Sequence, residues 1–244
     1  MTGNRQFNGH SVDGAVPARD RRLPDTVSAW VFDLDNTLYP VSSGMFHQVD
    51  RRIGEFISDL MSVPYDEARR IQKGYFHRYG TTLKGLMEEH GIDPAYYLEY
   101  THDVDLSILQ PDPALKTALS GLPGRRLVFT NGEGNYARRV LDRLGIAELM
   151  DGVFDIIAAN YIPKPQPSVY ADFVTSFDVS PTEAVYVEDM ARNLVPAHEM
   201  GMTTVWLRTD YEWGEMDISR DHIHYEISDL PAWLENPDDG HATN

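Results

Sequence analysis

Trp30 to Pro40 reads WVFDLDNTLYP. The run Ala29-Trp30-Val31-Phe32 is apolar without alternation, the pattern of a strand buried on both faces of a parallel sheet. Asp33 and Asp35 then fall at its carboxyl end, where open α/β sheets place their ligand crevice. Their one-residue spacing points both carboxylates the same way. Such a pair can share a metal or divide nucleophile and acid/base roles. A bare Asp-x-Asp more often only caps a turn. The strand before it and Asn36-Thr37-Leu38 after it tip the reading toward a site.

The 244 residues suffice for one domain with an insertion or for two small domains. Lys plus Arg number 21 against 38 Asp plus Glu, a net charge of −17, which opposes a nucleic-acid polymer bound through a wide basic surface. A small phosphate ester remains compatible, because local basic groups and a cation set the field inside a pocket. No apolar run exceeds four residues, against roughly 18 for a membrane span, and the polar N-terminus lacks a signal-peptide core. The expectation is a soluble cytoplasmic protein. With no cysteine, thiolate zinc sites and a cysteine nucleophile are excluded, leaving carboxylates, hydroxyls, Lys and His for the chemistry.

From Trp30 the reading extends both ways. Residues 1–25 lack apolar periodicity and predict a disordered arm. After Pro40, apolar residues from Met45 to Leu60 repeat at helical spacing, with Ser42 or Ser43 as N-cap. Further helices are expected from Pro64, over Leu83–His90 and from Asp93-Pro94. The segment 41–109 is far too long for a strand-to-helix loop, so it predicts an all-helical cap over a core built from 26–40 and 110–235. Its Met, Phe and Tyr residues should mostly form the cap's own core.

Pro111 to Leu119 predicts the returning helix and Arg125 to Thr130 a second buried strand. Thr130-Asn131-Gly132 then offers a hydroxyl and backbone N–H groups to an anion ahead of a helix over 135–144. An ordinary Asn-Gly turn accounts for it equally well. Phe154 to Ala158 reads as a third strand. Lys164 stands between Pro163 and Pro165 on a stiff loop that suits a cation aimed at a fixed point, although a lone lysine is more often solvated. A helix over 167–177 precedes the strand from Ala184, which ends in Glu188-Asp189. A helix over 194–201, a strand over Thr203–Leu207 and a short strand and helix between Tyr225 and Trp233 follow, with a frayed tail over 236–244. His222 and His224 read as surface polarity, since no third zinc ligand follows at a usual spacing.

This alternation predicts a doubly wound, Rossmann-like parallel sheet that brings Asp33/Asp35, Thr130, Lys164 and Glu188/Asp189 to one edge. The set resembles, in order, the four motifs of the haloacid dehalogenase-like (HAD) superfamily over about residues 30–233. The resemblance implies that Asp33 is a nucleophile forming an aspartyl-phosphate, with Asp35 as general acid and base. It implies that Thr130, the Asn131 amide and Lys164 hold the phosphoryl oxygens. Mg²⁺ would be held by the Asp33 carboxylate, the Asp35 carbonyl and Asp189, with Glu188 helping directly or through water. Met190 departs from the small hydroxyl residue common after the acidic pair, and Asn193 stands where many relatives carry an acid.

Within the superfamily, DLDNTLYP, FTNG and Tyr79-Gly80-Thr81-Thr82-Leu83-Lys84-Gly85-Leu86 resemble the pyrimidine 5′-nucleotidase subgroup. The last segment serves equally to end one helix and cap the next. The resemblance implies a pyrimidine nucleoside 5′-monophosphate as substrate, with Tyr79, Thr81, Thr82 and Lys84 as contacts from the cap. Rival readings are a phosphatase of phosphoglycolate or sugar phosphates, a hydrolytic dehalogenase, and a non-catalytic phosphate-binding regulator. The dehalogenase is disfavoured by Asp35, since loss of halide needs no acid there.

Overall fold

The computed structural model describes residues 23–210, 214 and 220–237. The expected arm and tail lie almost wholly outside them. Strands β1 (Ala29–Phe32), β2 (Arg125–Phe129), β3 (Gly152–Phe154), β4 (Ala184–Glu188), β5 (Thr203–Leu207) and β6 (Tyr225–Ile227) form one sheet. Its order is β3-β2-β1-β4-β5-β6 and every pairing is parallel. The chain leaves β1 toward one edge, then crosses back to β4 on its other side. That switch point opens beyond the carboxyl ends of β1, β2 and β4.

The unbroken apolar run of β1 has a direct cause. Trp30 and Phe32 enter one hydrophobic cluster and Ala29 and Val31 the cluster on the opposite face. Val185 and Val187 of β4 side with the first, Ala184 and Tyr186 with the second. Helices α5 (Pro113–Gly121), α6 (Gly134–Leu144) and α9 (Leu230–Glu235) cover the first face, and α7 (Pro167–Phe177) and α8 (Val195–Glu199) the second. Trp30 is 1% exposed and meets Trp233 edge-on, so its truncation to Ala would cost on the order of 3–5 kcal/mol.

Between β1 and α5 lie α1 (Met45–Met61), α2 (Tyr65–Tyr79), α3 (Thr82–His90) and α4 (Pro94–Thr101). They share a third cluster in which Phe56 meets Tyr97 and Tyr100 edge-on, at 5.1 and 5.4 Å. Met45 and Val49, on the first turns of α1, belong instead to the sheet's own core. Side chains of Asp93, Asp112 and Glu133 cap α4, α5 and α6 by accepting from exposed N–H groups. Among the described residues no helix is long and apolar enough to cross a membrane.

Three local expectations change. The N-cap of α1 is Gly44, with φ of 73°, and Ser43 contributes only by accepting the Met45 N–H at 3.2 Å. The third strand ends at Phe154, because Asp155 turns the chain: its Oδ1 accepts from Ala158 N and its Oδ2 from Gly134 N. His222 is buried, its Nε2 donating to the Ala191 carbonyl at 2.7 Å. It holds the loop after β4 rather than contributing surface polarity.

Candidate active site

Asp33 follows β1 and its N–H still donates to Val187 O, so the sheet's ladder fixes the start of the loop. Beyond it Asn36 adopts a left-handed backbone, φ 61°, which Asn tolerates better than most residues. Leu34, Leu38 and Tyr39 pack inward and anchor the turn. Asp33 and Asp35 both face a cavity of about 170 Å³ at the strand ends, also lined by Thr130, Asn131, Lys164, Glu188 and Asp189. All the core residues singled out in the sequence therefore meet.

Lys164 is 1% exposed. Its Nζ donates to Asp33 Oδ1 (2.7 Å), Phe129 O (2.8 Å), Tyr186 Oη (2.9 Å) and Glu188 Oε1 (2.9 Å). Burial alone would discharge this ammonium, but the Asp33 and Glu188 carboxylates outweigh it and hold Lys164 protonated above the usual range. Asp33 feels the reverse balance. Burial pushes its carboxyl up to about 7 against the attraction of Lys164, and the Glu188 and Asp35 charges push the same way. The Thr37 hydroxyl lies 3.4 Å from Asp33 Oδ2.

Asp35 points to a different set of partners. Tyr39 and Tyr136 both donate to its Oδ1, Tyr136 at 2.7 Å, and the two hydroxyls are 3.2 Å apart. Burial raises Asp35 while these two hydrogen bonds oppose the rise. With Oδ1 occupied, Oδ2 is left for proton transfer. It faces the β2 loop, where a Cβ on Gly132 would stand 3.7 Å from it and 3.2 Å from Thr130 Oγ1. Thr130 Oγ1 accepts the Gly132 N–H at 2.9 Å, leaving its O–H to donate to an anion. Asn131 instead spends its side chain on the Lys164 backbone.

Carboxylate oxygens of Asp33, Glu188 and Asp189 lie within 4.8 Å of one another, all buried. Burial, then the Glu188 and Asp33 charges, push the Asp189 carboxyl well above its usual range. Such crowding of hard oxygen donors suits a divalent cation that keeps some of its waters. Within the trio Glu188 is already engaged: Oε1 accepts from Lys164 and from Asn193 Nδ2 (2.6 Å), and Oε2 from Met190 N (2.7 Å).

The segment of Tyr79 to Leu86 divides. Thr81, Thr82 and Leu83 line the cavity, whereas Tyr79 and Lys84 stand outside its lining. Tyr79 donates to Glu89, and Lys84 pairs with Glu88 at 2.8 Å. Thr81 Oγ1 caps α3 by accepting from Lys84 N, and Thr82 donates to Gln72 O at 3.3 Å. Gly80 has φ of 87°. Its carbonyl accepts from Arg192 Nη2 at 3.1 Å, and a Cβ there would lie 3.6 Å from Pro163 and 3.7 Å from the Lys164 carbonyl. Arg192 also sits over the Phe76 ring, 4.4 Å from its centroid.

Residues not singled out in the sequence complete the wall. Arg69 Nη2 meets Asp50 Oδ2 at 2.6 Å, and Gln72 joins both, donating to Asp50 Oδ1 and accepting from Arg69. Tyr39 stood in the opening stretch and carried no separate signal. Tyr136, 101 residues from Asp35, gave none.

The model of the family described as haloacid dehalogenase-like hydrolase matches residues 27–201. Phosphate metabolism protein 8 of Saccharomyces cerevisiae is 31% identical over 240 residues, covering 88% of this chain and 74% of that protein. A glyceraldehyde 3-phosphate phosphatase of Pyrococcus furiosus is 26% identical over 230 residues, covering 84% of this chain and 90% of its own. The crystal structure of an HAD phosphatase from Thermococcus onnurineus covers 88% of this chain and 99% of that chain, with a TM-score of 0.59 and 23% identity, a likeness of fold. This chain belongs to the haloacid dehalogenase-like hydrolases.

Proposed function

We propose that the protein is a Mg²⁺-dependent phosphomonoesterase working through an aspartyl-phosphate. The observation that carries the reading is Asp33, at a strand end, with Lys164 on one carboxylate oxygen and Asp35 beside it on the same cavity. Names of relatives that include a phosphatase support the reaction class. Asp33 attacks phosphorus, and the P–O bond to the alcohol breaks as Asp35 gives that oxygen a proton. Asp35 then takes a proton from water, which attacks the phosphorus and releases Asp33 and inorganic phosphate. Lys164 and the Thr130 hydroxyl hold the phosphoryl oxygens, and Lys164 offsets charge that grows there. Asp33, Asp189 and the Asp35 carbonyl would hold Mg²⁺, with Glu188 behind them. Bound there, the ion supplies Lewis-acid stabilisation of the phosphoryl charge.

The helices between residues 41 and 109 serve, in this reading, as a cap that chooses the leaving group. We read the substrate as a pyrimidine nucleoside 5′-monophosphate. Its support is the Tyr79–Leu86 motif, from which Thr81, Thr82 and Leu83 reach the cavity. A triose phosphate is the second reading, favoured by the name of the Pyrococcus relative. Phosphate release from UMP, CMP, AMP, glyceraldehyde 3-phosphate and phosphoglycolate, with and without Mg²⁺, tests both levels. Higher kcat/KM on UMP and CMP supports the nucleotide reading, and a preference for another ester overturns it. No release from any ester overturns the phosphatase.

A further inference from the structure

Among the described residues, three that line the cavity carry a buried polar atom without a hydrogen-bond partner: His102 at Nδ1, Asn36 at Oδ1 and Asn193 at Oδ1. His102 is 8% exposed and Asn36 3%. Buried hydrogen-bonding atoms are almost always satisfied, so unpartnered ones on a cavity wall point to a group that enters it. Asn193 donates to Glu188 of the acidic trio, which leaves His102 and Asn36 as the pair outside it. Their placement says which part of a substrate that is. Asn36 directly follows Asp35. His102, next after α4, stacks flat on Tyr136, with ring centroids 4.4 Å apart and planes at 7°. Tyr136 in turn donates to Asp35. His102 also ends the helical segment read above as choosing the leaving group, and in that reading it belongs to the alcohol's side of the cavity.

The chemistry narrows the ligand further. Burial, then the Arg139 charge, lower the imidazole to about 4, so at neutral pH it is uncharged, with one donor and one acceptor nitrogen. A carboxylate gains little from such a group. A hydroxyl can donate to the Asn36 oxygen, which only accepts, and can pair with an imidazole nitrogen in either tautomer.

We propose that His102 and Asn36 form a subsite for an uncharged hydroxyl on the leaving alcohol, selecting phosphate esters of sugar-like polyols. The proposal rests on the phosphomonoesterase reading and deepens it. Ribose and triose esters both carry such a hydroxyl, so it holds for either substrate reading above.

The test compares ribose 5-phosphate with pentyl phosphate, which lacks hydroxyls, in wild type and in His102→Phe. Phe keeps a ring to stack on Tyr136 and deletes both nitrogens. The expected result is that the kcat/KM ratio of hydroxylated to plain ester falls roughly tenfold, the scale of one buried hydrogen bond. An unchanged ratio, or equal losses on both esters, overturns the subsite. Asn36→Gly, which retains the left-handed backbone, should lower the same ratio. Should wild type hydrolyse neither ester, the phosphatase reading is decided by the wider panel above, and binding decides the subsite. Calorimetric affinities of 3,4-dihydroxybutylphosphonate and butylphosphonate should then differ in wild type, and the difference should shrink roughly tenfold in His102→Phe. No difference in wild type overturns it.

Discussion

Asn131 grips Lys164 by its own peptide groups: its Oδ1 accepts the Lys164 N–H at 2.8 Å and its Nδ2 donates to the Lys164 carbonyl at 3.4 Å. The loop after β2 thereby fixes the backbone from which the buried ammonium extends. Asn131→Ala should lower kcat by about tenfold to a hundredfold through misplacement of Lys164, the scale of a 1 Å error in a reacting group. Steady-state kinetics with p-nitrophenyl phosphate check this, and an unchanged kcat would remove the bracing role.

Asp33→Asn should abolish turnover while retaining the fold, because it deletes the proposed nucleophile and keeps its shape. It should also raise the melting temperature in metal-free buffer above pH 7. With a folded-state value of about 7 against 3.8 ordinarily, Asp33 binds its proton more tightly when folded, so its contribution to stability falls as pH rises between those values. A neutral amide escapes that loss. Thermal melts at pH 5 and pH 8 with chelator present check it, and a lower melting temperature for the variant at pH 8 would contradict it.

His102 has the opposite sign. Its folded-state value of about 4 lies below the ordinary 6.5, so the unfolded chain takes up the proton first. Stability should decline as pH falls from about 6.5 to 4, by up to roughly 3 kcal/mol for this group. In His102→Phe that part of the slope should vanish. Urea unfolding of both proteins at pH 7 and pH 4.5 measures it as a difference of differences.

Asp189→Ala should raise the Mg²⁺ concentration for half-maximal activity at least tenfold, because Glu188, with both oxygens engaged, is poorly placed to substitute. A metal titration curve that does not move would shift the ligand role to Glu188.

Tyr136→Phe removes one of two donors on Asp35 Oδ1 while preserving the ring under His102. A less constrained Asp35 should cost about fivefold to fiftyfold in kcat on alkyl phosphates and less on p-nitrophenyl phosphate, whose leaving group needs little proton assistance. Uniform loss across leaving groups would separate Tyr136 from the acid step.

What could be read from the chain was whatever local pattern determines. The unalternating run Ala29–Phe32 announces a strand covered on both faces, and residues of the loops that follow the strands, such as Asp33, Thr130, Lys164 and Asp189, converge once the sheet is parallel. What could not be read was set by distant packing. Tyr136 meets Asp35 and His102 meets Tyr136 only because the loop after β1, the C-cap of α4 and the first turn of α6 come together at the cavity. The third strand stops short of Ile156 and Ile157, which look like strand residues, because Asp155, through two side-chain bonds, bends the chain. Tyr79 and Lys84 looked like substrate contacts by their motif, yet acids on α3 hold both.

Gly80 carries a consequence for modularity. It sits where the end of α2 meets both Arg192 and the backbone of the Lys164 loop, in a conformation that disfavours any side chain. The helices between β1 and α5 are therefore not freely interchangeable. A chimera that receives the 41–109 segment of another family member would inherit a foreign joint at this point. Its phosphate grip would suffer along with its substrate choice unless residues 163–164 and 192 were transplanted too.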